Sequence, residues 1–306
     1  MERLRAAIEQ ARKTRAESDA LAPKPAKPAG DNAQPSNVVP VDGGLAADSQ
    51  RKPAKAKAKA PAKGESSALL ERWEALPKPE IKQRRLRKSR LIVSDIGPER
   101  AAIDMLRTRL LTMIEKEGWK RIAITSPTMA CGKSTTTLNL AYSLARLAEL
   151  RTVVVEADMR RPSMAKMLGL KGKSSTSDVL RGKVDFADQA IRLAPNVAVS
   201  LNYGVAKNPA ELLHRGRTAE ILEQIEEDFE PDIVLFDMSP MMHSDDTLGF
   251  LKNVDCAILV AMAESSTLNE IDVCESELAA HTNVAGVVLN RCRYTGGRYG
   301  YGYGEY

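Results

Sequence analysis

Aromatic side chains are scarce in this chain: Phe, Trp and Tyr together make up 4% of 306 residues. A core must therefore be packed from Ala, Val, Leu and Ile, which suits an α/β protein. Long apolar runs are absent as well. The longest, residues 256–263, has the length of a buried strand, and none approaches the ~20 residues of a membrane-spanning helix. The opening MERLRAAIEQ lacks the apolar block of a signal peptide. Four cysteines (Cys131, Cys256, Cys274, Cys292) show no metal-ligand spacing, which excludes a zinc-finger reading and fits reduced thiols in a cytoplasmic protein. Nor is charge of one sign dominant. Lys and Arg number 45 against 40 Asp and Glu, a net +5 that is too mild to imply a nucleic-acid partner.

What is present comes in blocks. Residues 1–20 place Leu4, Ile8 and Ala11 on one side at helical spacing and predict an amphipathic N-terminal helix. Residues 21–90 are rich in Pro, Ala, Lys and Gly, including RKPAKAKAKAPAK, and predict a disordered basic linker. The segment PERAAIDMLRTRLLTMIEKEGW then sets Ile103, Leu106, Leu110 and Ile114 at helical spacing, as the first helix of a globular domain over 91–292. Residues 293–306 form a separate Tyr/Gly tail.

Chemistry enters at RIAITSPTMACGKSTTTLNLAYSLA, residues 121–145. A short apolar run, a loop of mainly small residues and a helix opening at Lys133 make the strand–loop–helix setting of a phosphate-binding loop. There, backbone N–H groups and the helix dipole would cradle phosphate oxygens. Ala130, Cys131, Gly132, Lys133, Ser134 and Thr135 are the candidate nucleotide contacts. Lys133 is placed on the β- and γ-phosphates and the Ser134 hydroxyl on Mg²⁺. The strict motif fails at its first position, where Pro127 replaces Gly. A bare G-K-S also occurs at ordinary helix starts.

Downstream, apolar strands alternate with helices, which predicts a doubly wound, mainly parallel sheet. The run TVVV leads into Glu156 and Asp158, and the run IVLF into Asp237. Acidic residues at the carboxyl ends of parallel strands sit where such sheets bind ligands. Asp237 reads as the Mg²⁺-holding carboxylate beyond a phosphate loop, although an Asp there is ordinarily a turn former. Five of seven tyrosines (Tyr294, Tyr299, Tyr301, Tyr303, Tyr306) fall in the last 13 residues. They are either a stacking segment or a set of phosphate acceptors.

Taken together, SPTMACGKSTTTLNLA, VVVEADMRRP, NPAELL, DIVLFDMSP followed by Asp246, GVVLN and the tyrosine cluster resemble the bacterial tyrosine kinases of capsule and exopolysaccharide systems, the CpsD/CapB-like type. The resemblance implies a P-loop NTPase fold of the ParA/MinD-like architecture. It also implies Mg-ATP-dependent autophosphorylation of the tail tyrosines between subunits of a homo-oligomer, and a phosphatase that resets the tail. The implied partner is a membrane polysaccharide co-polymerase that recruits a cytoplasmic kinase to the inner membrane face and activates it. Asp158 is the expected base for the tyrosine hydroxyl, with Glu156 supporting it or ligating Mg²⁺. Arg160 is expected to neutralise transition-state charge, and Asn290 to touch the adenine. Three departures stand out: Glu156 where the family has Asp, Met129-Ala130 where it has Pro-Gly, and Ala101, Asp104, Arg107 where it carries a ring-forming E-x-x-R-x-x-R. The alternatives are a ParA/MinD-type ATPase switch, which would carry Lys at the position of Thr128, and an inactive scaffold.

Overall fold

A computed structural model describes residues 63–92 and 97–292. The N-terminal helix expected at 1–20, the first part of the linker and all five tail tyrosines lie outside the described residues. Seven strands form one sheet in the order β3-β4-β2-β5-β1-β6-β7. They are β1 (Arg121–Thr125), β2 (Thr152–Glu156), β3 (Ile191–Ala194), β4 (Val197–Ser200), β5 (Ile233–Asp237), β6 (Cys256–Met262) and β7 (Asn283–Asn290). Every pairing is parallel except β3 with β4. The expected doubly wound α/β architecture is therefore present. Short β3 was missed because only Ile191 of its four side chains is buried.

Central strands are apolar at successive positions because both faces are covered. Along β1, Ile122 and Ile124 enter one apolar layer and Ala123 the other; along β5, Ile233 and Leu235 oppose Val234 and Phe236. The first layer is closed by α3 (Pro98–Glu117) and α4 (Lys133–Leu144), through Leu110, Leu111, Ile114, Leu138 and Leu144. The second is closed by α9 (Gly216–Phe229) and α11 (Leu268–His281). In α9, Leu222, Ile225 and Phe229 recur at helical spacing on the buried side while Glu223 and Glu227 stay in water.

The linker expected over 21–90 is corrected from residue 63 onward, and so is the expectation that α3 is the first helix. Two helices precede it: α1 (Lys63–Ala75) and α2 (Gln83–Lys88). Leu69, Trp73 and Leu76 are buried in the second layer. Trp73 meets Phe229 edge-on at 5.8 Å, and its indole N–H donates to the Phe229 carbonyl at 2.9 Å. The chain then rounds the sheet at β3, where the Pro77 carbonyl accepts the Arg192 N–H at 2.8 Å. On the far side Leu86 and Leu91 enter the first layer. This strap ends on the phosphate-loop helix: Asn139 Oδ1 accepts the Ile92 N–H at 2.7 Å, and its Nδ2 donates to the Arg90 carbonyl at 3.1 Å. Density of Lys and Arg hid the strap in the sequence. The charges face water, and five apolar side chains anchor it.

The remaining helices are short and shape the loops: α5 (Met164–Leu168), α6 (Thr176–Leu180), α7 (Phe186–Gln189), α8 (Pro209–His214) and α10 (Asp246–Phe250). At the positions where the ring-forming motif is degraded, Ala101 is exposed, Asp104 half-buried and Arg107 buried. Arg107 is 8% exposed and donates to the Ser143 carbonyl at 3.1 Å and its hydroxyl at 3.2 Å. Asp104 accepts from Ser143 and Arg146 and pairs with Arg100. That cluster fastens α3 to α4 within one chain.

Replacing a large buried aromatic by Ala costs about 3–5 kcal/mol. Trp73→Ala should therefore lower the unfolding free energy of the full chain by about that much, read as a lower midpoint in denaturant titration. An unchanged midpoint would mean that residues 63–92 are a linker after all.

Candidate active site

Three strand ends meet at one rim. Register aligns Asp237 on β5 with Ile124 on β1 and with Glu156 on β2. The loop leaving β1 is held from behind: the Ser126 and Pro127 carbonyls accept the N–H groups of Met241 and Met242 at 2.9 and 3.1 Å. Thr125 Oγ1 donates to the Ser239 carbonyl at 2.8 Å. Ala130 (φ 64°) and Gly132 (φ 95°) both take left-handed backbone to wrap the loop into α4. Gly is required at 132, since a Cβ there would fall 2.1 Å from Asn290 Nδ2. Asn290 Nδ2 instead donates to the Cys131 carbonyl at 2.8 Å, so the end of β7 pins the phosphate loop. Cys131 is 1% exposed, with Sγ near the hydroxyls of Thr128 and Ser266; it fills space under the loop. Thr135 follows in the first turn of α4 and is half-buried.

The charges at the rim do not balance. Lys133 Nζ lies 2.6 Å from Asp158 Oδ2, in a pair that is almost fully buried. Asp158 Oδ1 also accepts the Arg161 N–H at 3.0 Å and the Ser239 hydroxyl at 3.2 Å. Asp237 is fully buried, and neither carboxylate oxygen has a hydrogen-bond partner. Burial pushes its pKa up to about 6; Lys133 and the nearby Ser134 hydroxyl, which makes no bond of good geometry, hold it from rising further. Burial also opposes the charge on Lys133, yet Asp237, Asp158 and Glu156 around it raise its pKa on balance.

An unpartnered buried carboxylate beside a serine hydroxyl suits a hard cation with oxygen ligands. Among the described residues no group of three or more His, Cys, Asp and Glu is arranged to hold a metal. Mg²⁺ here would therefore complete its shell from phosphate and water around Ser134 and Asp237, as phosphate-loop sites do.

Glu156, expected in the metal and catalytic sets, turns its carboxylate to backbone amides. Oε1 accepts the backbone N–H groups of Ser163 and Met164, both at 2.7 Å, and Oε2 that of Asn202 at 2.7 Å. Both oxygens are spent on anchoring the loop after β2. Its pKa still rises to about 7, because full burial outweighs those three bonds. Arg160 is held by a bidentate pair with the fully buried Asp246 (2.7 and 2.9 Å) while remaining 47% exposed. Asn290 is brought to the loop backbone. Sequence reasoning missed Ser239, whose hydroxyl lies 3.2 Å from Asp158 and 3.3 Å from Asp246. The only signal was its place two residues after Asp237.

The raised pKa of Asp237 fixes the sign of a pH effect. A carboxyl whose folded pKa lies above its unfolded value binds more protons when folded. Its destabilising ionisation sets in as pH rises from near 4 through about 6. Asp237→Asn should therefore raise the melting temperature of the ligand-free chain well above pH 6, with the gain fading as pH falls below it. The same variant should lose any Mg²⁺-dependent stabilisation by ATP, read by thermal shift. A variant less stable at alkaline pH would mean that the carboxylate is satisfied in the fold.

A family model described as "ParA: NUBPL iron-transfer P-loop NTPase" matches residues 119–300. EpsB of Ralstonia solanacearum is 31% identical over 213 residues, 68% of this chain and 28% of its own length. The protein of Salmonella typhi named "Tyrosine-protein kinase wzc" is 29% identical over 208 residues, 67% of this chain and again 28% of its own. This chain thus spans a little over a quarter of the length of these relatives. Among solved structures, the kinase domain of Escherichia coli tyrosine kinase ETK superposes with a TM-score of 0.58 at 22% identity, over 80% of this chain and all of that one; it speaks for the fold. By the match of residues 119–300 the chain belongs to the ParA family of P-loop NTPases, and within that fold its relatives are bacterial tyrosine kinases.

Proposed function

We propose that this chain is an Mg-ATP-dependent protein-tyrosine autokinase of an exopolysaccharide or capsule system. The observation that carries the reading is the rim set of Lys133, Ser134, Asp158 and Asp237, with one buried carboxylate unpaired. Kinship with wzc and the five-tyrosine tail support tyrosine as the acceptor.

Ser134 and Asp237 are the groups to hold Mg²⁺, which supplies charge neutralisation at the phosphates when bound. Lys133 exchanges Asp158 for the phosphates, and Asp158 Oδ2 is freed within reach of an incoming hydroxyl. Tyrosine's pKa near 10 makes it a poor nucleophile at neutral pH, and a positioned carboxylate corrects that. The tyrosine oxygen bonds to the γ-phosphorus, the bond to the β–γ bridging oxygen breaks, the hydroxyl proton passes to Asp158, and ADP departs. Arg160, fixed by Asp246, presents its exposed side to the charge on the transferring group. Asn290 acts through the loop carbonyl of Cys131. The acceptors are Tyr294, Tyr299, Tyr301, Tyr303 and Tyr306 of a neighbouring copy. A membrane co-polymerase as activator and recruiter, and a phosphatase as the reset, complete the reading.

A ParA/MinD-type switch is the second reading, favoured by the family model and disfavoured by Thr128 in the loop and by the tyrosine tail. Purified chain incubated with Mg-ATP should acquire phosphotyrosine. Lys133→Ala should abolish the label, because phosphoryl transfer rests on positioning and electrostatics. Replacing all five tail tyrosines by Phe should remove the label while leaving nucleotide binding intact. Steady ATP hydrolysis with no phosphotyrosine, even with the membrane partner present, would select the switch.

A further inference from the structure

Away from the rim, the described surface carries a block of unpaired positive charge. α2 is fastened to α5: Arg85 Nε donates to the Lys166 carbonyl at 2.9 Å and Ser89 Oγ to the Met167 carbonyl at 2.8 Å. Lys82, Arg84, Arg87 and Lys88 stand exposed on one side of that contact. Lys166, Lys171 and Lys173 stand exposed on the other. Neither contributing segment, 81–92 or 159–177, contains an Asp or Glu. None of the seven cations is ion-paired with any described residue, whereas Arg72, Lys120, Arg121 and Arg146 all have acidic partners.

Shape and residue type narrow the partner. The cations project from the outside of a short helix and a turn, and none of them lines the cavity of about 270 Å³ beside Arg72, Phe186 and Phe229. Five of the seven are lysines, point charges without the planar fork that reads a single phosphate bidentately. Recognition of a phosphopeptide calls for converging guanidinium groups, and of single-stranded nucleic acid for stacking aromatics. An exposed, lysine-rich surface without acidic partners fits a broad, diffuse negative field instead.

We infer that the α2–α5 face rests directly on an anionic lipid surface, which gives the chain a membrane contact of its own beside any protein partner. This inference does not depend on the kinase reading. Each Lys or Arg near such a surface adds about fivefold to partitioning, and salt screens the effect within roughly 10 Å. Residues 51–63 carry six more Lys and Arg, five ahead of α1 and Lys63 at its start, so the test has to separate the two regions.

The full chain, sedimented with phosphatidylcholine vesicles with or without phosphatidylglycerol, should bind only the anionic ones and release them at high salt. The quadruple variant Arg84→Gln, Arg87→Gln, Lys171→Gln, Lys173→Gln changes side chains that make no bond within the fold. It should melt like the parent while partitioning falls roughly 500-fold, at about fivefold per charge. Arg85 is left intact because it holds the Lys166 carbonyl. The inference is overturned if that variant binds like the parent while neutralising the Lys and Arg of 51–63 removes binding. Equal binding to neutral vesicles overturns it, and so does tighter binding of the parent to a phosphotyrosine peptide or a DNA duplex than to the anionic vesicles.

Discussion

Asp237 is buried without a hydrogen bond among some of the most completely covered residues of the protein, and the rim is organised around that deficit. Lys133 sits between two acidic side chains and contacts only Asp158. One ammonium thus faces two carboxylates in a low-dielectric setting, where an unpaired charge is expensive to hold. The apolar layers make the arrangement possible. Ile122, Ala123 and Ile124 of β1, with Leu235 and Phe236 of β5, are fully buried and fix the backbone from which Asp237 projects. A divalent cation beside Ser134 would turn the deficit into a complement, and it would release Lys133 from sole responsibility for both acids.

The same reasoning separates Glu156 from Asp237, although register sets them side by side. Asp237 offers two idle oxygens; Glu156 offers none. Its carboxylate reaches the amides of Ser163, Met164 and Asn202. The loop so anchored runs into α5, on which the strap lies through Arg85 and Ser89. Beyond Leu91 the strap grips Asn139 on the phosphate-loop helix. A set of hydrogen bonds therefore links the loop after β2, residues 85–92 and α4.

Legibility in the sequence followed the strength of each physical constraint. Strands buried on both faces must be apolar throughout, so β1, β2, β5 and β6 were readable, as was Asp237 at a strand end. Lys133 and Ser134 were readable because the loop and helix start came with acidic strand ends at Glu156, Asp158 and Asp237 downstream. α1 and α2 were not. Five anchors (Leu69, Trp73, Leu76, Leu86, Leu91) are diluted among charges, and their burial depends on Phe229 and other residues far away in the chain. The hydrogen bonds of Glu156 were not legible, because the sequence places a carboxylate at the rim without saying which way its oxygens turn. Ser239 carried only its place two residues after Asp237; three dimensions put it between two acids.

Ser239 shows why that placement matters. Its hydroxyl has one proton and two carboxylates within 3.3 Å, on Asp158 and Asp246. It can donate to one of them at a time. While Lys133 is paired with Asp158, that carboxylate already has an ammonium and the Arg161 amide, and Asp246 already has the Arg160 fork. Withdrawing Lys133 toward a phosphate, as the proposed reaction requires, would leave Asp158 the poorer of the two, and the hydroxyl proton would then be better placed on it. Asp246 keeps its bidentate arginine and tolerates the loss. In the proposed reaction Lys133 and Arg160 would thereby be coupled through a single hydroxyl, which would steady one oxygen of Asp158 while the other took the tyrosine proton.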